Sequence, residues 1–145
     1  MNLRITSIAG FVLMVGAVLA LLALRSLLAD LTVTIILQII GVILMIWARM
    51  TFRRRSFHLA ANPTEGGLVT SGPYRFIRHP IYASILLFMV AGVISHISLE
   101  SIILSIVFMI GVVLRIYSEE KLVVLQYPEY TSYAAKTKRI IPFIL

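Results

Sequence analysis

The chain has 145 residues, of which 60% are hydrophobic and 13% charged. That is too apolar for a soluble domain with a polar exterior, and a bilayer is the expected solvent. With no cysteine there is no disulfide framework, thiolate nucleophile or thiolate metal site, and the net charge of +7 has to be explained by its placement along the chain.

Crossing the hydrocarbon core takes roughly 20 largely apolar residues, and four windows offer this, at about 5–24, 31–48, 80–98 and 100–117. The first two carry no charge, and the first is too long, and followed by too many further spans, to read as a signal peptide. The second ends in Trp47, an interfacial aromatic, followed by Arg49. The third holds only His96. The fourth has the shortest uninterrupted apolar run and reaches the interface by snorkelling of Arg115 and Tyr117. Placing both termini in the cytoplasm puts Arg4, the basic loop 49–78 and the basic tail 115–139 inside and leaves only Arg25 outside. The charge is therefore a topology signal, and no nucleic-acid partner is expected. The run Arg53, Arg54, Arg55 reads as an anchor at anionic headgroups, with capture of an anionic substrate as the alternative.

The expected fold is an all-α integral membrane protein of one domain, 1–145: four transmembrane helices, a long cytoplasmic loop between the second and third, and an amphipathic helical tail. No repeat or linker divides it. The loop from Arg49 to His79 is long enough to be functional, and its apolar residues Phe57, Leu68, Val69, Tyr74, Phe76 and Ile77 suggest packing on the membrane surface. The short connection at 95–100 predicts a tight antiparallel hairpin of the third and fourth helices, which brings Pro80 and Arg115 to one face. Beyond Tyr117 the apolar spacing continues a helix until Pro128, and a second amphipathic stretch covers 129–138. The end, 140–145, either docks on the bundle or enters lipid.

Two polar segments could carry chemistry. The first is Ser71-Gly-Pro-Tyr-Arg-Phe-Ile-Arg-His-Pro-Ile-Tyr82. Pro80 suits the first helical position, which makes His79 the N-cap of the third span. The exposed N–H groups of that turn, with Arg75 and Arg78 beside them, suit a carboxylate or phosphate. A purely structural account would make the arginines anchors and Tyr74 and Tyr82 belt aromatics. The second segment is Arg115 followed by Glu119 and Glu120. Arg115 and Glu119 share a helix face, while Glu120 points about 100° away. Paired acids beside lipid need partners, expected from Arg75, Arg78, Arg115 and His79.

Together the segments Leu68-Val-Thr-Ser-Gly-Pro-Tyr-Arg-Phe-Ile-Arg-His-Pro-Ile-Tyr82 and Arg115-Ile-Tyr-Ser-Glu-Glu-Lys-Leu122, continuing to Tyr127, Tyr130, Tyr133, Arg139 and Pro142, resemble the isoprenylcysteine carboxyl methyltransferase family, which is similar here to phospholipid N-methyltransferases. The resemblance covers roughly the last two thirds of the chain. It implies an S-adenosylmethionine-dependent methyltransferase with cytoplasmic catalytic segments at 66–82 and 115–142, in a cell inner or plasma membrane or the endoplasmic reticulum. It implies cofactor binding by Tyr74, Arg78, His79, Tyr82, Glu119 and Glu120, leaving S-adenosylhomocysteine as product. Arg75, Arg115 and Glu119 would act at the reacting centre, on a lipophilic or prenylated acceptor drawn from membrane lipid. A carboxylate acceptor needs no general base, whereas an amine must be neutral or lose a proton to Glu119 or Glu120. The competing classes are a non-catalytic membrane accessory protein and a relative of the NADPH-dependent sterol reductases. No histidine pair has ligand spacing, so no metal is expected; His96 reads as a loop residue and His58 as a surface one.

Overall fold

The computed structural model describes residues 2–52 and 67–141. Residues 53–66 of the long loop, with Arg53, Arg54, Arg55, Phe57 and His58, and the end from Pro142 lie outside the described residues. Five α-helices follow in order: α1 (Leu3–Ala23), α2 (Thr32–Phe52), α3 (Pro80–Ser95), α4 (Leu99–Gln126) and α5 (Tyr130–Lys136). Among the described residues, a 3-10 turn, Gly72–Arg75, precedes α3.

The helix ends follow from local chemistry. Asn2 caps α1 by accepting from the Arg4 N–H at 3.1 Å. At its other end Arg25 takes a left-handed conformation, φ 56°. This lets Ser26 N–H reach Leu21 O at 2.9 Å and Arg25 N–H reach Leu22 O at 3.0 Å, the paired bonds of a Schellman motif. Ser98 and Ser101 form a reciprocal capping box at the start of α4. His79 is the N-cap of α3 with Pro80 in the first turn, as the sequence predicts, although its side chain makes no capping bond.

Three helices, α1, α2 and α4, are long and apolar enough to cross a membrane. Their unpartnered faces expose Ile5, Val12 and Leu19, then Val33, Ile36 and Ile43, then Ile103, Ile106 and Val113. Such continuous apolar surface suits lipid rather than water. The third expected span is the short one: α3 has 16 residues, so its length is about 24 Å against a core of roughly 30 Å. The fourth, expected to be the shortest run, is the longest helix, because it continues through Arg115, Glu119 and Glu120 into the tail.

The tight hairpin expected of α3 and α4 is replaced by a different pairing. α4 runs chiefly against α1, and α3 against α2. The reason is where backbones can approach. Gly10 and Gly111 oppose each other so closely that a Cβ on Gly10 would sit 2.7 Å from Gly111 O, and one on Gly111 2.6 Å from Gly10 O. Gly41 likewise lies against α3, with its missing Cβ 3.1 Å from Ser84 O. α3 meets α4 through larger side chains: Leu86 and Met89 join Phe108, Val112 and Ile116, together with Met14, Ala17 and Leu21 of α1, in one core.

At the end remote from the two polar segments, the α1–α2 connection folds over α3. Gln38 donates to Leu27 O at 2.8 Å and Phe88 O at 3.1 Å and accepts from Ala29 N–H at 3.1 Å, so this buried amide is satisfied within an apolar helix. His96 belongs here too, its Nε2 2.9 Å from Leu28 O.

Candidate functional site

The predicted residues converge where α3 begins and α4 emerges from its apolar stretch. α4 presents Arg115 and Glu119 on one face, one helical turn apart, and Arg115 Nη2 donates to Glu119 Oε1 at 2.9 Å. Arg115 Nε donates to Tyr82 Oη at 2.9 Å, and Tyr82 in turn donates to Glu119 Oε1 at 2.5 Å. Arg115, Tyr82 and Glu119 thus form a closed ring of charge-assisted bonds between α3 and α4. The guanidinium also lies over the Phe11 ring of α1, 5.6 Å from its centroid.

Glu120 points elsewhere, as its position 100° round the helix requires. Its Oε1 accepts from Arg78 Nε at 2.9 Å and lies 3.3 Å from His79 Nε2, while Oε2 accepts from Arg139 Nε and Nη2, both at 3.1 Å. A carboxylate can only accept, so His79 carries its proton on Nε2. The other ring nitrogen, Nδ1, stands 3.9 Å from Glu119 Oε2. His79 therefore lies between the two carboxylates and is hydrogen-bonded to Glu120.

Arg78 does more than neutralise Glu120. Its Nη1 donates to Ala134 O at 2.8 Å and to Thr137 O. These are orphan carbonyls at the end of α5, so Arg78 both caps that helix and fastens it to α3. The segment that follows lies parallel to the residues before α3, bridging Ile77 and Lys138. Arg78 N–H donates to Lys138 O at 2.7 Å, His79 N–H to Arg139 O at 2.9 Å, and Lys138 N–H to Phe76 O at 3.2 Å. The Arg78 and His79 N–H groups just before α3 are thereby engaged within the chain. Ile140 then packs against the core, so the tail docks on the bundle at least that far.

Two predicted residues stand apart from this cluster. The Tyr74 ring packs on Phe52 with centroids 5.3 Å apart, and its backbone carbonyl accepts from Tyr133 Oη at 2.6 Å. Burial pushes the Tyr74 hydroxyl well above its usual range. Arg75 is exposed and has no ion-pair partner among the described residues. Two members of the cluster are not among the site residues expected from the sequence. Arg139 lies 19 residues from Glu120 in sequence, and Phe11 lies on another helix; only the tertiary fold brings either to the site. The Glu120 carboxylate holds the Arg139 guanidinium above its ordinary pKa, so the pair stays charged.

Three helices long and apolar enough to cross a membrane, with a charged cluster toward the end of the longest, mark the chain as a membrane protein. The family model for phospholipid methyltransferase matches residues 29–130, more than half of the chain, and the protein belongs to that family. The match takes in α2, α3 and α4 and excludes α1, Tyr133, Thr137 and Arg139. No curated protein and no solved structure matches the chain. Methyltransferases of this family use S-adenosylmethionine, and the donor set here suits it. Glu119 is partly exposed and its Oε2 accepts no hydrogen bond among the described residues, which leaves a carboxylate oxygen for an ammonium or a ribose hydroxyl.

Proposed function

We propose that the protein is a multi-pass enzyme with four spans and both termini cytoplasmic, and that it methylates the carboxylate of a lipophilic, prenylcysteine-like acceptor. The short α3 provides the fourth span together with the residues flanking it, a short apolar helix being accommodated by local adjustment of the bilayer. Glu119, His79 and Tyr82 hold the cofactor directly. Arg78 and Glu120, whose hydrogen bonds are spent on each other and on the tail, keep the pocket's shape, and Tyr74 braces its edge. When bound, the cofactor supplies a methyl group on a positive sulfonium, whose charge is lost together with that of a carboxylate acceptor, so dry surroundings favour transfer. Arg75, exposed at the water boundary, orients the acceptor's head, while Arg115 keeps Glu119 and Tyr82 in place.

The observation that carries the carboxylate assignment is that three of the four carboxylate oxygens in the cluster are already committed. Glu120 is held by Arg78, His79 and Arg139, and Glu119 by Arg115 and Tyr82. An acceptor that must shed a proton has only Glu119 Oε2 or His79 Nδ1 to receive it, on residues assigned here to the cofactor; a carboxylate needs no base. The family description favours a second reading, an aminolipid headgroup as acceptor, with Glu119 Oε2 taking the proton.

The test is to incubate purified protein with methyl-labelled S-adenosylmethionine and either farnesylcysteine or phosphatidylethanolamine, then treat the product with alkali. A methyl ester releases its label as methanol, and an N-methyl group does not. Label on farnesylcysteine that alkali releases is the expected result; alkali-stable label on the aminolipid moves the assignment to N-methylation.

A further inference from the structure

Phe11 belongs to α1, the helix that the family match leaves out, yet its ring lies under the guanidinium of Arg115. Arg115 is 7% exposed, and it aims Nε at Tyr82 and Nη2 at Glu119. The Gly10 and Gly111 crossing is what allows this approach. A Cβ on Gly10 would stand 3.1 Å from Arg115 Cγ as well as colliding with Gly111 O. The arginine stem therefore runs along bare α1 backbone before its head reaches the aromatic face of the next residue. A guanidinium is planar and stacks on aromatic faces, so the ring restricts the plane in which the head lies, and with it the directions of the N–H donors.

Granting the cofactor pocket assigned above, we propose that Phe11 is a positioning residue of that pocket, holding Arg115 so that Tyr82 and Glu119 are presented to the cofactor. α1 is then part of the methyl-transfer machinery and not only a membrane anchor. An aliphatic side chain of similar size would fill the same space but remove the aromatic face beneath the guanidinium. That loss would let the head shift against Glu119 and weaken cofactor binding without disturbing the bundle.

The experiment is calorimetric titration of the detergent-purified full chain with S-adenosylhomocysteine, with melting temperature measured on the same samples. Phe11→Leu should bind about fivefold more weakly at an unchanged melting temperature. Phe11→Tyr, which restores a ring, should bind within about twofold of the parent. Phe11→Met also lacks a ring and carries the comparison if Phe11→Leu does not fold. Parent-like binding by the ringless variants, or failure of Phe11→Tyr to recover affinity, overturns the proposal. So does a loss of affinity and melting temperature together, since that is the mark of simple packing. If the parent itself does not bind S-adenosylhomocysteine, the assigned pocket fails and this role fails with it.

Discussion

Arg78, two residues before α3, and Glu120, in the last turns of α4, are joined at 2.9 Å with side chains only 9% and 15% exposed. Through this pair the beginning of α3, the emerging end of α4 and the cap of α5 become one unit. Removing one member of a shielded pair strands the other. Glu120→Gln keeps the shape and removes the charge, so Arg78, His79 and Arg139 lose their common counter-ion. The expected outcome is a destabilisation on the order of 2 kcal/mol together with loss of S-adenosylhomocysteine binding. A variant that melts and binds like the parent would mean that the cluster is not built as described.

The α1–α4 crossing gives a prediction with an internal control. Gly10→Ala and Gly111→Ala each drive a methyl group into opposing backbone, whereas a Cβ on Gly16 meets nothing within 4 Å. Backbone cannot yield as a flexible side chain does, so the first two should separate the helices and cost about 1–3 kcal/mol. Gly16→Ala should be neutral or slightly stabilising, since alanine is the better helix former. Equal melting temperatures for all three would contradict the close crossing.

Arg139 is half-exposed, at 54%, and holds the tail against Glu120. Its bond is open to solvent and should weaken with salt. Arg139→Ala is expected to speed amide hydrogen exchange at Arg78 and His79, whose N–H groups donate to Lys138 O and Arg139 O. Exchange in the middle of α2, remote from this bridge, is the reference and should not change.

The parts of the site written in local spacing were legible in the sequence, and the parts that depend on long-range contact were not. His79 and Pro80 mark the start of α3 because proline restricts the residue before it. Arg115 and Glu119 had to share a face, and Glu120 had to diverge. The arrival of Arg139 at Glu120 depends on how α5 turns the chain back along Ile77, which no local pattern encodes. The helix pairing was misjudged for a similar reason. A short α3–α4 connection suggests adjacency, but Gly10 with Gly111 and Gly41 with Ser84 decide which backbones pack closely, and such complements cannot be matched from one sequence. The run of α4 beyond Tyr117 to Gln126 is legible, because the apolar spacing continues as far as Pro128; the pairing of Arg115, Glu119 and Glu120 with one another and with α3 is what lets charged residues sit within that helix.

Alkali should release α5. Burial raises the Tyr133 hydroxyl from its ordinary 10.0 to about 12, and raises Tyr74 and Tyr130 as well. Because the folded state holds these protons more tightly than the unfolded chain, their contribution is complete below pH 10 and is lost as pH rises through about 12. Ultraviolet titration should therefore show a set of tyrosines ionising late. Tyr133→Phe also removes the bond to Tyr74 O, so the docked segment should exchange faster even at neutral pH. If all tyrosines titrate with their ordinary values, α5 is not docked as described.

Arg75 separates acceptor recognition from cofactor recognition. It is exposed on the last residue of the 3-10 turn and shares no ion pair with the cluster among the described residues. Replacing it should leave the folded state and the cofactor pocket intact: Arg75→Ala is expected to shift the melting temperature little and to bind S-adenosylhomocysteine like the parent. Its effect should fall on the acceptor. Loss of one charge-assisted contact to a carboxylate corresponds to about 1.5–3 kcal/mol, so KM for farnesylcysteine should rise on the order of tenfold or more. Raising the salt concentration should weaken the parent enzyme's grip on that acceptor and affect Arg75→Ala much less. An unchanged KM would remove Arg75 from the acceptor site and leave head-group orientation to another cation, with Arg115 the remaining candidate in the cluster.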